Sequence, residues 1–254
     1  MASDESPNRS ALTDVSFWDT YWSGKENIGK TIVPRRYLFS DVFTKVCRPN
    51  YQGRFLEIGG FPGYFSIWFS KYCHCKASLL DIYIKRDVVD SLIKVNGIES
   101  IETIEASIFD YEPEEKFDIV LSAGLIEHFD DLDAIISCHK RCLDIGGRLI
   151  VCVPNFLGLN GLLQRIVDQD NFKAHNLAAM DVTRMCEILA AQGFLHIAGS
   201  YYGGFGVWIE DARSRARIVR LALRAINLLR LPLTLLKFNT RLFAPYIVYT
   251  ATNG

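Results

Sequence analysis

The chain has 254 residues, 49% of them hydrophobic, and a formal net charge of −1. That length suits one α/β domain, or one domain with an insertion, and the apolar content is enough for a sizeable core. The near-neutral balance excludes the broad basic surface of a nucleic-acid binder.

In chain order, residues 1–14 read as a polar disordered tail. "MASDESPNRSALTD" has no apolar h-region, so a secretory signal is not expected. "SFWDTYW" and "RRYLFSDVFTKVC" read as helical pieces with aromatic faces, an N-terminal helical cap over 15–50. The core, 51–254, opens with the strand "RFLEIGG", the helix "GYFSIWFSKYC" and the strand "KASLLDIY". "RDVVDSLIKVNG" is a helix closing at Gly97, and "IETIEASIF" is a third strand. "KFDIVLSAG" is nearly all apolar, as a strand covered on both faces should be. "DDLDAIISCHKRCLDIGG" predicts a helix capped by Asp130 or Asp131 with a glycine stop. "RLIVCVPN" is a fifth strand, followed by a less regular stretch to about Asn176. Then come the helix "AAMDVTRMCEILAAQG", the strand "FLHIAGSYY", a helical insertion over about 205–243 broken at Pro232, and the closing strand "APYIVYTAT". Strands alternating with helices predict an α/β, Rossmann-like doubly wound sheet with ligands at the strand carboxyl ends.

The insertion carries the charge asymmetry. From Ala212 onward there are eight Arg or Lys and no Asp or Glu, against 20 basic and 29 acidic residues before it. Arg213, Arg217, Arg220 and Arg224 share one face of the expected helix over 211–242. Such a face suits an anionic membrane surface, the core or a second subunit. No apolar run reaches the ~18–20 residues of a spanning helix. Seven cysteines point to free thiols in a reducing cytoplasm. "CHC" and "CHKRC" lack the Cys-x₂-Cys spacing of zinc sites and read as buried thiols.

Gly59, Gly60 and Gly63 let the chain bend close to a ligand, and the following helix start offers N–H groups to an anion. A dinucleotide fingerprint needs glycine at 61, where Phe61 stands. That weakens an NAD(P)-dependent oxidoreductase. A non-catalytic cofactor-binding module is a further alternative.

The turn resembles motif I of class I S-adenosylmethionine-dependent methyltransferases, an acid followed by glycines at alternate positions. Glu57, Gly59 and Gly63 fit, Phe61 replaces the middle glycine, and Gly60 compensates by a one-residue displacement. "KFDIVLSAGLIEHF" is similar to the family's fourth strand and following loop, "LDIGGRLIVCVPN" to its fifth strand, and "APYIVYTATNG" to its antiparallel last strand. The resemblance covers about Arg54 to Pro154 well. It implies an S-adenosyl-L-methionine cofactor with Asp81 on the ribose hydroxyls and Glu57 near the methionine amino group. Ser107 or Asp110 would take the adenine amine, and Ile82, Ile108 and Ser122 would lie beside the cofactor.

A methyl donor of this kind is already activated, so the protein supplies position, a dry pocket and, for a hydroxyl acceptor, a base. His128 in "GLIEHF" and His175 in "DNFKAHN" are the candidates. His139 shares an apolar helical face and reads as a core histidine. Some methyltransferases of this shape bind a metal through Glu-x-x-Glu-His. Gly124 stands in place of the first Glu, so no metal is expected. "PNFLGLNGLLQRIVDQDNFKAHN" mixes polar side chains with apolar walls, which suits a sugar. It also resembles segments of bacterial methyltransferases of glycan or polysaccharide assembly. The expectation is an O-methyltransferase acting on a sugar or lipid-linked glycan, cytoplasmic, with peripheral contact at the inner membrane face or a homo-oligomeric contact through the basic segment.

Overall fold

The computed structural model describes residues 12–25, 27–47, 51–208, 228 and 239–254. The basic helix expected over 211–242 lies outside these residues, apart from Leu228 and 239–242. Among the described residues no helix is long and apolar enough to cross a membrane.

Seven strands form one sheet in the order β3-β2-β1-β4-β5-β7-β6. They are β1 (Arg54–Ile58), β2 (Lys76–Asp81), β3 (Glu102–Glu105), β4 (Phe117–Ala123), β5 (Leu143–Pro154), β6 (Phe194–Tyr202) and β7 (Tyr246–Asn253). β1 to β5 pair in parallel, and β7 runs antiparallel to both β5 and β6. The fold is therefore the mostly parallel α/β sheet with an antiparallel last strand that the sequence predicts.

Consecutive residues of the central strands feed opposite faces. Phe55, Ile119, Leu121 and Ile150 enter one core cluster, while Leu56, Val120, Leu149 and Val151 enter the other. This is why these strands read as unbroken apolar runs. The first face is covered by α2 (Ser40–Val46), α3 (Tyr64–Cys73) and α4 (Arg86–Asn96), with Phe69 stacked on Phe55 at 3.9 Å. The second is covered by α5 (Leu132–Cys142) and α8 (Val182–Ala191). Asp131 caps α5 by accepting from Ala134 N–H, a contact worth about 1 kcal/mol. No disulfide joins the seven cysteines, six of which are buried.

Two local expectations change. α5 stops at Cys142, before the glycines, because Leu143 is buried and already pairs with Phe117 of β4. The stretch after β5 folds into two short helices, α6 (Leu159–Val167) and α7 (Gln169–Lys173). Its Asn155 and Gln164 are buried and donate to backbone carbonyls of Arg241, Ala244 and Trp208, so they hold the chain together instead of facing a ligand.

The N-terminal helix α1 (Val15–Ser23) buries none of its residues fully. Asp14 caps it through Phe17 N–H. Tyr83 at the end of β2 donates to Asp19 (2.7 Å), and Leu12 N–H donates to the His128 carbonyl (2.8 Å). These contacts lay α1 across the carboxyl ends of the parallel strands.

Candidate active site

Under α1 lie two neighbouring cavities. The smaller, about 200 Å³, lies at the ends of β1 and β2 and the loop after β3. The larger, about 340 Å³, lies over the ends of β1, β4 and β5. Both touch Trp18, Trp22, Gly59, Phe61 and His128.

The glycine turn builds the shared wall. Gly59 and Gly63 have positive φ values of 64° and 96°, which an L side chain rarely adopts. Gly60 is glycine for a different reason, since a Cβ there would stand 2.2 Å from the Glu57 side chain. The bend therefore does not pass through Gly60, contrary to the displaced-glycine expectation. Phe61 is tolerated at the middle position because its φ is not positive. Its ring contacts Trp22 and Tyr83 edge-on at 5.3 and 5.4 Å.

Glu57 is buried at the end of β1, and its Oε2 accepts from Ser66 N–H (2.6 Å) and Oγ–H (2.7 Å). Burial pushes its carboxyl up to about 7, against the pull of the Ser66 hydrogen bonds. Asp81 accepts from Phe61 N–H through Oδ2 (2.9 Å) and from Tyr83 N–H through Oδ1 (3.0 Å). Burial pushes it up to about 6. Each Asp81 oxygen keeps a further acceptor position, and the residue lines the smaller cavity with Ile82, Ser107 and Ile108.

Gly63, Asp110 and Ser122 line neither cavity. Gly63 is the N-cap of α3, and Asp110 is exposed. Ser122 is buried and meets His139 Nε2 at 2.9 Å, while the other ring nitrogen of His139 donates to the Ile135 carbonyl (2.7 Å). His139 is a core residue, as its helical spacing predicts.

His128 and His175 come together in the larger cavity, with ring centroids 4.7 Å apart. His128 lies in a short 3₁₀ turn after β4 (Ile126–His128), and His175 follows α7. Nδ1 of His128 meets the Ala174 carbonyl at 3.0 Å, and Nδ1 of His175 meets the Asn171 carbonyl at 2.6 Å. A carbonyl only accepts, so both Nδ1 atoms carry the proton and both Nε2 atoms keep a lone pair. Burial drives His128 down to about 4, with His175 adding to the effect, and burial also lowers His175.

Glu127 is the residue that spacing alone does not single out. It is fully buried, lines the same cavity, and neither carboxylate oxygen has a hydrogen-bond partner. Burial raises its carboxyl to about 8. One ligand atom from each of Glu127, His128 and His175 lies within 4.8 Å of the others. The pair "EH" was the available signal, but its third member is 47 residues away in the chain.

Aromatic side chains close the cavity. Trp18 meets the His128 ring edge-on at 5.6 Å, Trp208 lines the cavity, and Phe156 backs the wall from the core, 4.7 Å from His175 and 5.7 Å from Trp208.

Residues 34–197 match the family profile described as a methyltransferase domain. No curated protein matches the chain. Among solved structures, a SAM-dependent methyltransferase from Archaeoglobus fulgidus is 20% identical, with a TM-score of 0.53 over 94% of this chain and 98% of that one. The phosphoethanolamine N-methyltransferase 2 of Haemonchus contortus, bound to S-adenosyl-L-methionine, is 16% identical, with a TM-score of 0.59 over 100% of this chain and 60% of that one. The YcgJ protein of Bacillus subtilis is 15% identical, with a TM-score of 0.54 over 84% and 97%. At these identities the likeness is one of fold.

Proposed function

The chain belongs to the methyltransferase-domain family, and from that premise we propose that it moves the methyl group of S-adenosyl-L-methionine to a hydroxyl of a small polar acceptor, a sugar free or lipid-linked. The observation that carries this reading is the pair of cavities meeting at Gly59, Phe61 and His128, one holding a carboxylate with spare acceptor positions and the other two imidazole lone pairs. When bound, the donor supplies a methyl group already activated by a positive sulfur.

The chain's own residues do the rest. Asp81 would accept the two ribose hydroxyls, with Ile82 and Ile108 beside the base and Ser107 within the same cavity for its amine. The cradle at Gly59 and Gly60 fits the methionine end because no side chain fills it, and Glu57 stands behind it. On the acceptor side, the Nε2 lone pair of one of the two histidines, His128 or His175, would take the single hydroxyl proton and leave an oxygen lone pair for the transfer. Trp18, Trp22 and Trp208 exclude water and offer flat faces to the C–H surface of a sugar. The arginine-rich segment after Ala212 favours a lipid-linked acceptor by its charge, and sedimentation with anionic vesicles decides between the two forms.

The test is donor-dependent transfer with S-adenosylhomocysteine release as the readout. His175→Ala is expected to lower transfer by roughly 100-fold or more, the usual size of a lost acid–base group. Its calorimetric affinity for S-adenosylhomocysteine should hold, since His175 lies outside the cavity that carries Asp81 and is none of the residues assigned to the donor. Full transfer by both His128→Ala and His175→Ala would remove the acceptor-site assignment.

A further inference from the structure

We propose that Glu127, His128 and His175 bind a divalent first-row transition-metal ion, and that the histidines act on the acceptor hydroxyl through it. The ion's role in the reaction rests on the methyl-transfer reading above, while its binding does not.

The cluster comes from two separate parts of the chain. Glu127 and His128 sit in the turn after β4, and His175 lies in the loop after α7. That loop is tied to the turn by Asn176, whose N–H donates to the Glu127 carbonyl (2.6 Å) and whose side-chain amide donates to the Phe129 carbonyl (2.9 Å). The three side chains are thus held together before anything binds. Their ligand atoms lie within 4.8 Å of one another. Around an ion with bonds of about 2.0–2.2 Å, neighbouring ligand atoms stand roughly 3–3.5 Å apart, so binding would draw the three atoms closer together.

Glu127 supplies the first argument for a ligand. A fully buried carboxyl group with no donor on either oxygen is costly and uncommon, and it calls for a missing partner. The histidines supply the second. Each donates Nδ1–H to a backbone carbonyl, Ala174 for one and Asn171 for the other. That arrangement fixes the tautomer that ligates through Nε2, and it is the outer shell found around metal-bound histidines. Both observations point to the same space.

The donor set selects the ion. Two imidazole nitrogens and one carboxylate suit manganese, ferrous iron, cobalt or zinc. Calcium and magnesium ask for more oxygens than this site offers. Three protein ligands facing the larger cavity would leave a coordination position open to an acceptor hydroxyl. An ion there would lower the hydroxyl pKa, and the hydroxyl proton would pass to the Glu127 carboxylate oxygen that does not ligate the ion.

The experiment uses the full chain, stripped with EDTA and dialysed, and titrated calorimetrically with Mn²⁺, Co²⁺ or Zn²⁺, with Mg²⁺ as comparison. One ion per chain is expected, bound at least tenfold more tightly than Mg²⁺. Glu127→Gln and His175→Ala should each weaken it at least tenfold while circular dichroism shows an unchanged fold. No binding by the folded protein, or binding unaltered in both variants, overturns the site. Full methyl transfer in excess EDTA overturns its role in the reaction and leaves the proposed function standing. A chain that binds the ion but transfers no methyl group to any hydroxyl does the reverse.

Discussion

Asp81 shows what one residue at a strand end must reconcile. Its carboxylate is to meet a diol, yet burial favours the neutral acid and sets its pKa near 6. Only the ionised form accepts from both ribose hydroxyls. Affinity for S-adenosylhomocysteine should therefore rise as pH goes from 5 to 7 and level off above, with protons released on binding below about pH 6. Asp81→Asn removes the part of that slope centred near pH 6, leaving the part that Glu57 adds nearer 7, and weakens binding by about 2 kcal/mol, roughly thirtyfold, the usual worth of a hydrogen bond to a charged group. Calorimetry at several pH values reads both effects; a wild-type affinity flat across this range would sink the assignment. An acid ending the strand after a glycine turn is visible in sequence, and so is Glu57. Glu127 is not, because its burial and its neighbour His175 are properties of the fold. Ser122 and Asp110 line neither cavity: a buried histidine meets the first, and the second is exposed.

At the scale of elements, α1 stands apart from the helices that cover the sheet. It has nine residues and none fully buried, whereas α3 buries five. So short a helix is marginal in water without packing, and α1 is held by the edge contacts of Trp18 and Trp22 and by the Tyr83–Asp19 hydrogen bond. Low local stability of this kind suits an element that must open to admit a ligand. Backbone amides of α1 are expected to exchange at least tenfold faster than those of α3, and to slow when S-adenosylhomocysteine fills the cavities beneath Trp18 and Trp22. Equal protection of the two helices, or no slowing, would contradict this. The main elements were legible because their signals are local: apolar runs for β1, β4 and β5, a capping aspartate for α5, and Gly97 closing α4. The segment after β5 was not. Its Asn155 and Gln164 read as ligand-facing, but their partners are backbone carbonyls that only the folded chain brings within reach, while Asn171 does line the larger cavity.

For the whole molecule, the order β3-β2-β1-β4-β5 follows from right-handed crossovers between parallel strands. The placing of β7 between β5 and β6 rests on long-range pairing, as of Arg148 with Thr252, which no local pattern announces. The topology puts its switch point between β1 and β4, where the strand order reverses, and the two cavities open there. Ligands that fit this crevice stabilise the entire fold through mass action. At 100 times its Kd, a ligand adds about 2.7 kcal/mol. For a chain of this size each kcal/mol is worth roughly 2–4 °C, so S-adenosylhomocysteine should raise the melting temperature by about 5–10 °C. NAD shares the adenosine but needs a glycine turn open to a pyrophosphate, and here Phe61 fills the middle position with its ring against Trp22 and Tyr83. At the same concentration NAD should leave the melting temperature within about a degree. A larger shift with NAD than with S-adenosylhomocysteine would return the chain to the oxidoreductase reading, because the cleft would then be selecting for two phosphates and not for a methyl donor.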